Sequence, residues 1–366
     1  LHRRRHSFPT RRSSDLPVFR LFFPELEAVY EEKNLSLDNP MRRVGEALMG
    51  ALYPEHPYGT QTTIGEVEHL KNPAYGDMEA FFDRWYVPNN MAIALAGDID
   101  AATALPLLEK AFARLEAKPL SEPHQGKLPP LSGRVFREVR AEGEEGVTLA
   151  WHAVPSDHAD VVALEVMDRL LDDAKVGLLN TRLELTQKVP SAGSWFSALR
   201  EAGSVAVRAD ARAGQTPEEL EAMLLEVVRA LREGEFTEED VTAVKLQETV
   251  RLKRQLELPG VRVNKMMSAF IEHRDWKDVV DHDRRYQAVT RADVIRVAKK
   301  YLGRDYVVVA KRKGTPEIPK LDKPTITPVK IDHARKSEFS QRVETMPVAE
   351  LQPEWVEEGK HYVRRP

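Results

Sequence analysis

Apolar residues recur at helical spacing in the first third of the chain. The pattern predicts a helix that begins at Pro24, a second helix over 41–52, and a third that an Asn-Pro pair opens at 72–73. The run MAIALAGDID (91–100) is almost continuously apolar up to its Gly-Asp turn, which predicts a buried strand. A helix over 101–115 is expected to pack back against that strand.

A second set of strands and helices follows. Thr216 and Thr237 are each followed three residues later by an acidic residue, which is the capping-box pattern of a helix start. The remaining pattern predicts strands at 146–152, 193–200, 203–210 and 305–313 and helices at 159–173, 177–187 and 290–302. This part of the chain therefore mixes strands and helices.

Changes in composition mark the boundaries between these units. Residues 117–132 hold four Pro and few apolar residues, which is typical of a linker. They separate a first unit, 17–116, from a second, 133–313. The Pro-rich residues 314–366 are expected to form an extended tail or interdomain linker.

The first sixteen residues differ from the rest of the chain. They begin without Met, lack the apolar core of a secretory signal, and contain HSFPTRRSSDL, which resembles translated sequencing-adapter DNA. We interpret 1–16 as a non-native extension, with a mitochondrial transit peptide as the alternative. This segment carries a charge of +4, so the remaining 350 residues carry −8.

Composition excludes several classes of function. The 366 residues contain no Cys, which excludes thiol catalysis, Cys-ligated zinc and disulfides. No apolar run approaches the roughly 18 residues that a membrane-spanning helix needs, so no membrane segment is expected in this chain. The acidic body of the chain gives no support for nucleic-acid binding.

The histidines offer little catalytic signal. Apart from His2 and His6 in the first sixteen residues, no two are spaced as H-x-x-x-H, the same-face pattern of a helical zinc site, and neither a nucleophile elbow nor a phosphate-binding glycine loop is present. His56 and His69 are predicted to be surface or capping residues, and His152 a structural one. The aromatic set within 81–86 is predicted to belong to the core.

Two glutamates in the first helix are the strongest chemical candidates. Glu25 and Glu32 are seven residues apart, which places them within about 20° of each other on one helix face. Carboxylates on a shared face can meet a cation there, although spacing alone also fits a solvated acidic face. Both interpretations remain open at this point.

The stretch that contains these glutamates resembles a known family. The features E-x-x-x-V-x-x-E, an H-P-x-G turn before an I-G pair, Y-x-P-x-N and A-G-D-I-D follow one another over residues 25–100 as in the pitrilysin/insulinase (M16) family of zinc metallopeptidases. Residues 133–312 resemble the C-terminal-type domain of that family more loosely. The resemblance implies α+β domains of the M16/LuxS-like metallohydrolase type, in which an antiparallel-rich sheet packs on helices.

The resemblance also implies a zinc site. In the family, an H-x-x-E-H motif supplies two His ligands and a general base, and a later Glu completes the metal's ligands. Glu32 matches that later ligand, and Glu25 matches the supporting Glu one heptad before it. H-x-x-E-H occurs nowhere in the 366 residues, so the resemblance implies a fragment of a peptidase that binds Zn²⁺ only when complete.

The family resemblance leads to two competing functions. The first is a portion of a zinc endopeptidase that cleaves peptides between two M16-like halves, with the second half in the same chain or in a partner subunit. The alternative is a non-catalytic M16-like subunit or structural partner of an active peptidase. An unrelated α/β binding protein is a third, weaker possibility. A bacterial periplasmic or secreted location is favoured over a cytoplasmic one.

Overall fold

A computed structural model describes residues 22–71, 74–120, 126–316, 334 and 336–347. Residues up to 316 belong to one compact unit, and the short segment 334–347 belongs to a second. The predicted extension over 1–16 and most of the predicted tail over 314–366 lie outside the described residues.

The elements follow one another in a fixed order along the chain. The helices are α1 (Phe22–Asp38), α2 (Pro40–Leu52), α3 (Pro57–Thr60), α4 (Val67–Lys71), α5 (Tyr75–Trp85), α6 (Ala101–Phe112), α7 (Val161–Leu171), α8 (Pro217–Glu233), α9 (Glu238–Leu256), α10 (Pro259–Ile271), α11 (Trp276–Val280), α12 (His282–Ala288), α13 (Arg291–Tyr301) and, in the second unit, α14 (Glu338–Glu344). Short 3-10 and π turns cover Pro88–Asn90 and Asn180–Glu184. The strands are β1 (Arg134–Ala141), β2 (Gly146–Ala153), β3 (Ser191–Ala198), β4 (Gly203–Asp210) and β5 (Tyr306–Lys313).

These five strands form one sheet in the order β1-β5-β2-β4-β3. Only β1 and β5 are parallel; the other three pairs of neighbouring strands are antiparallel. This mixed α+β architecture with an antiparallel-rich sheet confirms the predicted fold class.

Helices cover both faces of the sheet. Along β2, Leu149 and Trp151 point into the large core shared with α7, α8 and α13, whereas Ala150 points into a smaller core with Val44 and Leu48 of α2. The small alanine allows α2 to approach the sheet closely, while large side chains fill the opposite side. Because both faces are covered, the central strands are nearly continuously apolar, as in β5.

Two sequence predictions are confirmed at helix starts, where Thr216 and Thr237 both form capping boxes. The structure adds a cap that was not predicted: the Asn39 side chain accepts hydrogen bonds from the backbone of residues 41 and 42 at the start of α2. The predicted helix start at 72–73 lies outside the described residues. None of the described helices is both long and apolar enough to span a membrane.

One predicted strand is wrong, and one strand of the structure was not predicted. Residues 91–96 run outside any helix or strand without a ladder partner among the described residues, and Ile93 and Leu95 are exposed. A strand needs a neighbour to satisfy its backbone groups, which an apolar run alone does not provide. Conversely, β1 was not predicted, because charged residues interrupt its apolar positions, Val135 and Val139.

Candidate functional site

Helix α1 has one strongly buried face. Tyr30, Lys33 and Leu37 are all at most 7% exposed. The Tyr30 hydroxyl donates to the backbone carbonyl of Leu70 at 2.7 Å, and the Lys33 ammonium donates to that of Gly65 at 3.0 Å. The segment 65–71 therefore holds this face of α1 through both of these side chains.

The two candidate glutamates lie outside the buried face of the same helix. Glu25 and Glu32 are both exposed, and helical geometry places Glu32 roughly 200° around the axis from Tyr30 and roughly 100° from Lys33. The structure thus presents both carboxylates outward from one face, as the seven-residue spacing predicts. Carboxylate oxygens at this position can ligate a divalent cation that approaches from outside the described body.

The glutamates supply only part of a zinc site. A catalytic zinc takes three protein ligands and keeps a fourth position open for water. Within the described ranges, no group of three or more His, Asp or Glu residues is placed to hold a metal ion. The carboxylate oxygens of α1 could supply the acidic ligand of such a site. Its histidine ligands are not among the described residues.

A cluster of histidines and tyrosines joins the H-P-x-G turn to the sheet. His56 is 1% exposed, its Nε2 lies 2.9 Å from the Glu201 carboxylate, and its Nδ1 accepts from the backbone N–H of Tyr58 at 3.1 Å. The neutral ring therefore carries its proton on Nε2. The prediction of a surface or capping residue is confirmed in its second alternative, because His56 caps α3, and its side chain is buried rather than at the surface.

Tyr53 and His152 complete this cluster. Their rings stack at 5.3 Å, the Tyr53 hydroxyl donates to the carbonyl of Gly203 at 2.6 Å, and His152 Nε2 donates to the carbonyl of Leu52 at 2.6 Å. Burial raises the pKa of Tyr53 to about 12. The prediction of a structural His152 is confirmed, while no pattern in the sequence predicted the contact of Tyr53 with Gly203 at the start of β4.

A Tyr53→Phe exchange is expected to lower the free energy of unfolding by about 1 kcal/mol, because it removes the hydroxyl that donates to the buried Gly203 carbonyl. Urea unfolding of the two proteins measures the difference. Tyr86→Phe is the matched control, since Tyr86 is 44% exposed and should change stability by less than about 0.5 kcal/mol.

A separate cleft of about 370 Å³ lies among α7, α9 and α12. His282 Nε2 lies 2.6 Å from the Glu165 carboxylate, and Arg169 lies 3.9 Å from that of Glu248. Burial raises the pKa of Tyr286, which is one of the residues that line this cleft. Acidic and basic groups pair within the cleft, so these helices contact one another there through polar side chains.

An apolar surface covers the region around α5 and the following segment. Phe81 is 58% exposed and Tyr86 44%, so the prediction that this aromatic set is core is wrong for these two residues. Ile93, Leu95 and Leu107 are exposed as well. Such a group of exposed large apolar side chains is unusual on the surface of a monomeric protein and is typical of an interface.

Comparison with known proteins gives a consistent match. Residues 74–248 match the family model described as the peptidase M16 inactive domain. The chain is 26% identical over 289 residues to the zinc protease PqqE of Helicobacter pylori, which covers 76% of this chain and 64% of that protein. The chain thus spans less than two thirds of the length of this relative.

Solved structures show the same fold. A protease from Helicobacter pylori superposes with a TM-score of 0.74 at 22% identity, over 80% of this chain and 72% of that chain. The periplasmic protease PqqL from Escherichia coli superposes with a TM-score of 0.64 at 17% identity, over 79% of this chain and 34% of that chain.

Proposed function

We propose that this M16 peptidase-like chain is a portion of a zinc-dependent endopeptidase, the portion that supplies the carboxylate side of the metal site. The observation that carries the proposal is the pair Glu25 and Glu32, both exposed along one line of α1, a helix that is held in place by its buried residues Tyr30 and Lys33. Two outward carboxylates at one heptad spacing fit the metal ligand and the supporting residue that the family resemblance implies.

Each glutamate has its own role in this proposal. Glu32 would ligate zinc, which when bound lowers the pKa of a water molecule and polarises the scissile carbonyl. Glu25, one heptad away on the same face, would orient or tune the ligand set. Because H-x-x-E-H is absent from the sequence, the chain alone is proposed to bind zinc weakly and to leave peptides uncleaved.

The domain organisation follows from the same proposal. Residues 17–116 would be the end of a first M16-like domain, 117–132 a linker, 133–313 a second domain, and 314–366 an extended link toward a second half. The exposed apolar surface around α5 supports a first domain that packs against further structure. The second half would come from the same chain or from a partner subunit, with a peptide as substrate.

The proposed location is the bacterial periplasm or the exterior. It is supported by the name of one structural neighbour, a periplasmic protease. The acidic body of the chain supports a peptide substrate rather than a nucleic acid.

A second candidate is a non-catalytic M16-like subunit. It is favoured by the matched family model, which describes an inactive domain. The retained pair Glu25 and Glu32 favours the peptidase, because an inactive subunit has no need of either carboxylate at this spacing.

The presence or absence of H-x-x-E-H in the reading frame of the intact gene decides between the peptidase and the non-catalytic subunit. We expect the complete protein to carry H-x-x-E-H upstream of Glu32, to contain about one zinc per active site, and to cleave a quenched fluorescent peptide. The 366-residue chain, assayed in parallel, should hold little zinc. A complete protein that lacks the motif and the zinc would establish the non-catalytic subunit instead.

A further inference from the structure

Two of the residues that flank Glu32 in sequence are among the most buried in α1. Tyr30 is 1% exposed and Lys33 is 2% exposed. Each directs its polar end to a backbone carbonyl of the same short segment, Leu70 for the tyrosine and Gly65 for the lysine. The helix is therefore held by two contacts, from one residue before and one residue after Glu32 in the sequence.

A buried lysine is an expensive way to fill this position. Lysine is almost never fully buried without a partner, and its ammonium loses hydration that one carbonyl only partly replaces. A leucine or methionine would fill a similar volume without that cost. The specific contribution of Lys33 is a directional contact, from a fixed point on α1 to a fixed carbonyl.

The carbonyl that receives Lys33 is itself held in place. Gly65 has a φ of +78°, a conformation that favours glycine, and its carbonyl also accepts from the Thr62 hydroxyl at 3.1 Å. The Ser36 hydroxyl donates to the carbonyl of Lys33 at 2.7 Å, next to the anchor on α1. Both ends of the contact are thus defined by the local backbone.

The two anchors control the rotation of α1 about its axis. A glutamate carboxylate lies roughly 6 Å from a helix axis, so a rotation of about 10° displaces it by about 1 Å. Metal ligands must keep their distances within about 0.2 Å, and small rotations therefore matter at Glu32.

From this geometry we infer that Lys33 and Tyr30 are positioning residues, which set the direction of the zinc ligand Glu32. The inference rests on the proposed zinc-peptidase function and adds two residues to its site. Neither side chain touches the metal or the substrate; both act through the orientation of α1.

The test uses Lys33→Met and Tyr30→Phe in the complete protein. Both variants preserve the apolar volume and remove the directional contact. We expect the Kd for zinc, measured by chelator competition, to rise about tenfold in each, the range found when the residues that support a metal ligand are lost. We also expect kcat to fall while KM changes less than about twofold, since the peptide does not contact either side chain.

Two further variants make the outcome unambiguous. Lys71→Met removes an exposed lysine that pairs with Glu68 at 3.0 Å on the same segment, and its zinc affinity should stay unchanged. An unchanged zinc Kd in both Lys33→Met and Tyr30→Phe, with only a lower Tm, would overturn the inference and leave the two residues a structural role. If instead Glu32→Gln retains zinc, the proposed function itself fails.

Discussion

Replacing Glu32 by Gln in the complete protein is expected to weaken zinc binding by at least about 100-fold and to abolish peptide cleavage. A neutral amide oxygen is a much poorer ligand for Zn²⁺ than a carboxylate, and two remaining ligands hold the ion weakly against water. Metal content after dialysis and initial rates on a fluorescent peptide measure the two effects. The fold should be unaffected, because Glu32 is exposed on α1.

Neighbouring carboxylates supply the controls for this exchange. Glu31→Gln removes the adjacent carboxylate, which points about 100° away around the helix, and should leave both zinc content and rate near wild type. Glu25→Gln should weaken zinc binding by about tenfold, as expected for a residue that supports a ligand. Equal effects of Glu31→Gln and Glu32→Gln would indicate a general charge effect and contradict a ligand role for Glu32.

The shared direction of Glu25 and Glu32 could be predicted from sequence, because helical periodicity alone determines it. Which way that face points could not, since it depends on what buries the other face. Every hydropathy scale ranks lysine among the residues least expected to be buried. Lys33, one of the two residues that hold α1, is nevertheless only 2% exposed. Its burial depends on the carbonyl of Gly65, a contact across 32 residues that no local pattern encodes.

In the fold, too, features that depend on local sequence could be predicted, whereas features that depend on distant residues could not. Capping boxes at Thr216 and Thr237 involve four consecutive residues, so local chemistry predicts them correctly. The strand predicted at 91–100 fails because a strand depends on a neighbour, and none of the described residues pairs with it. The contact of His56 with Glu201 spans 145 residues, and only the three-dimensional fold brings the two together.

Asp160 joins two helices of the large core. It stands immediately before α7 and is 6% exposed. Its carboxylate accepts hydrogen bonds from three groups on α13: the Arg296 guanidinium at 2.8 Å, the Lys300 ammonium at 2.9 Å and the Tyr301 hydroxyl at 2.6 Å. One side chain thus ties the start of α7 to the end of α13.

An Asp160→Asn exchange is expected to lower the free energy of unfolding by about 2 kcal/mol at neutral pH, because hydrogen bonds to a charged acceptor are stronger than those to an amide. The loss stays below the 3–5 kcal/mol typical of a fully buried pair, since Arg296 and Lys300 are about half exposed and water hydrates them in the variant. Urea unfolding gives the difference. Asp157→Asn, at an exposed position three residues earlier, is the matched control.

The effect of Asp160→Asn should depend on pH in a defined direction. Burial alone would raise the pKa of Asp160, but the hydrogen bonds from Tyr301, Lys300 and Arg296 outweigh burial and hold it well below its usual value. The unfolded chain titrates near pH 3.9, so the contribution of the carboxylate is complete above about pH 5 and is lost as pH falls through the lower folded-state pKa. The stability difference between wild type and Asp160→Asn should therefore be larger at about pH 5 than at about pH 3, and should narrow below about pH 4. A difference that widened on acidification would contradict a depressed pKa at Asp160, and with it the role of the carboxylate as the charged partner of α13.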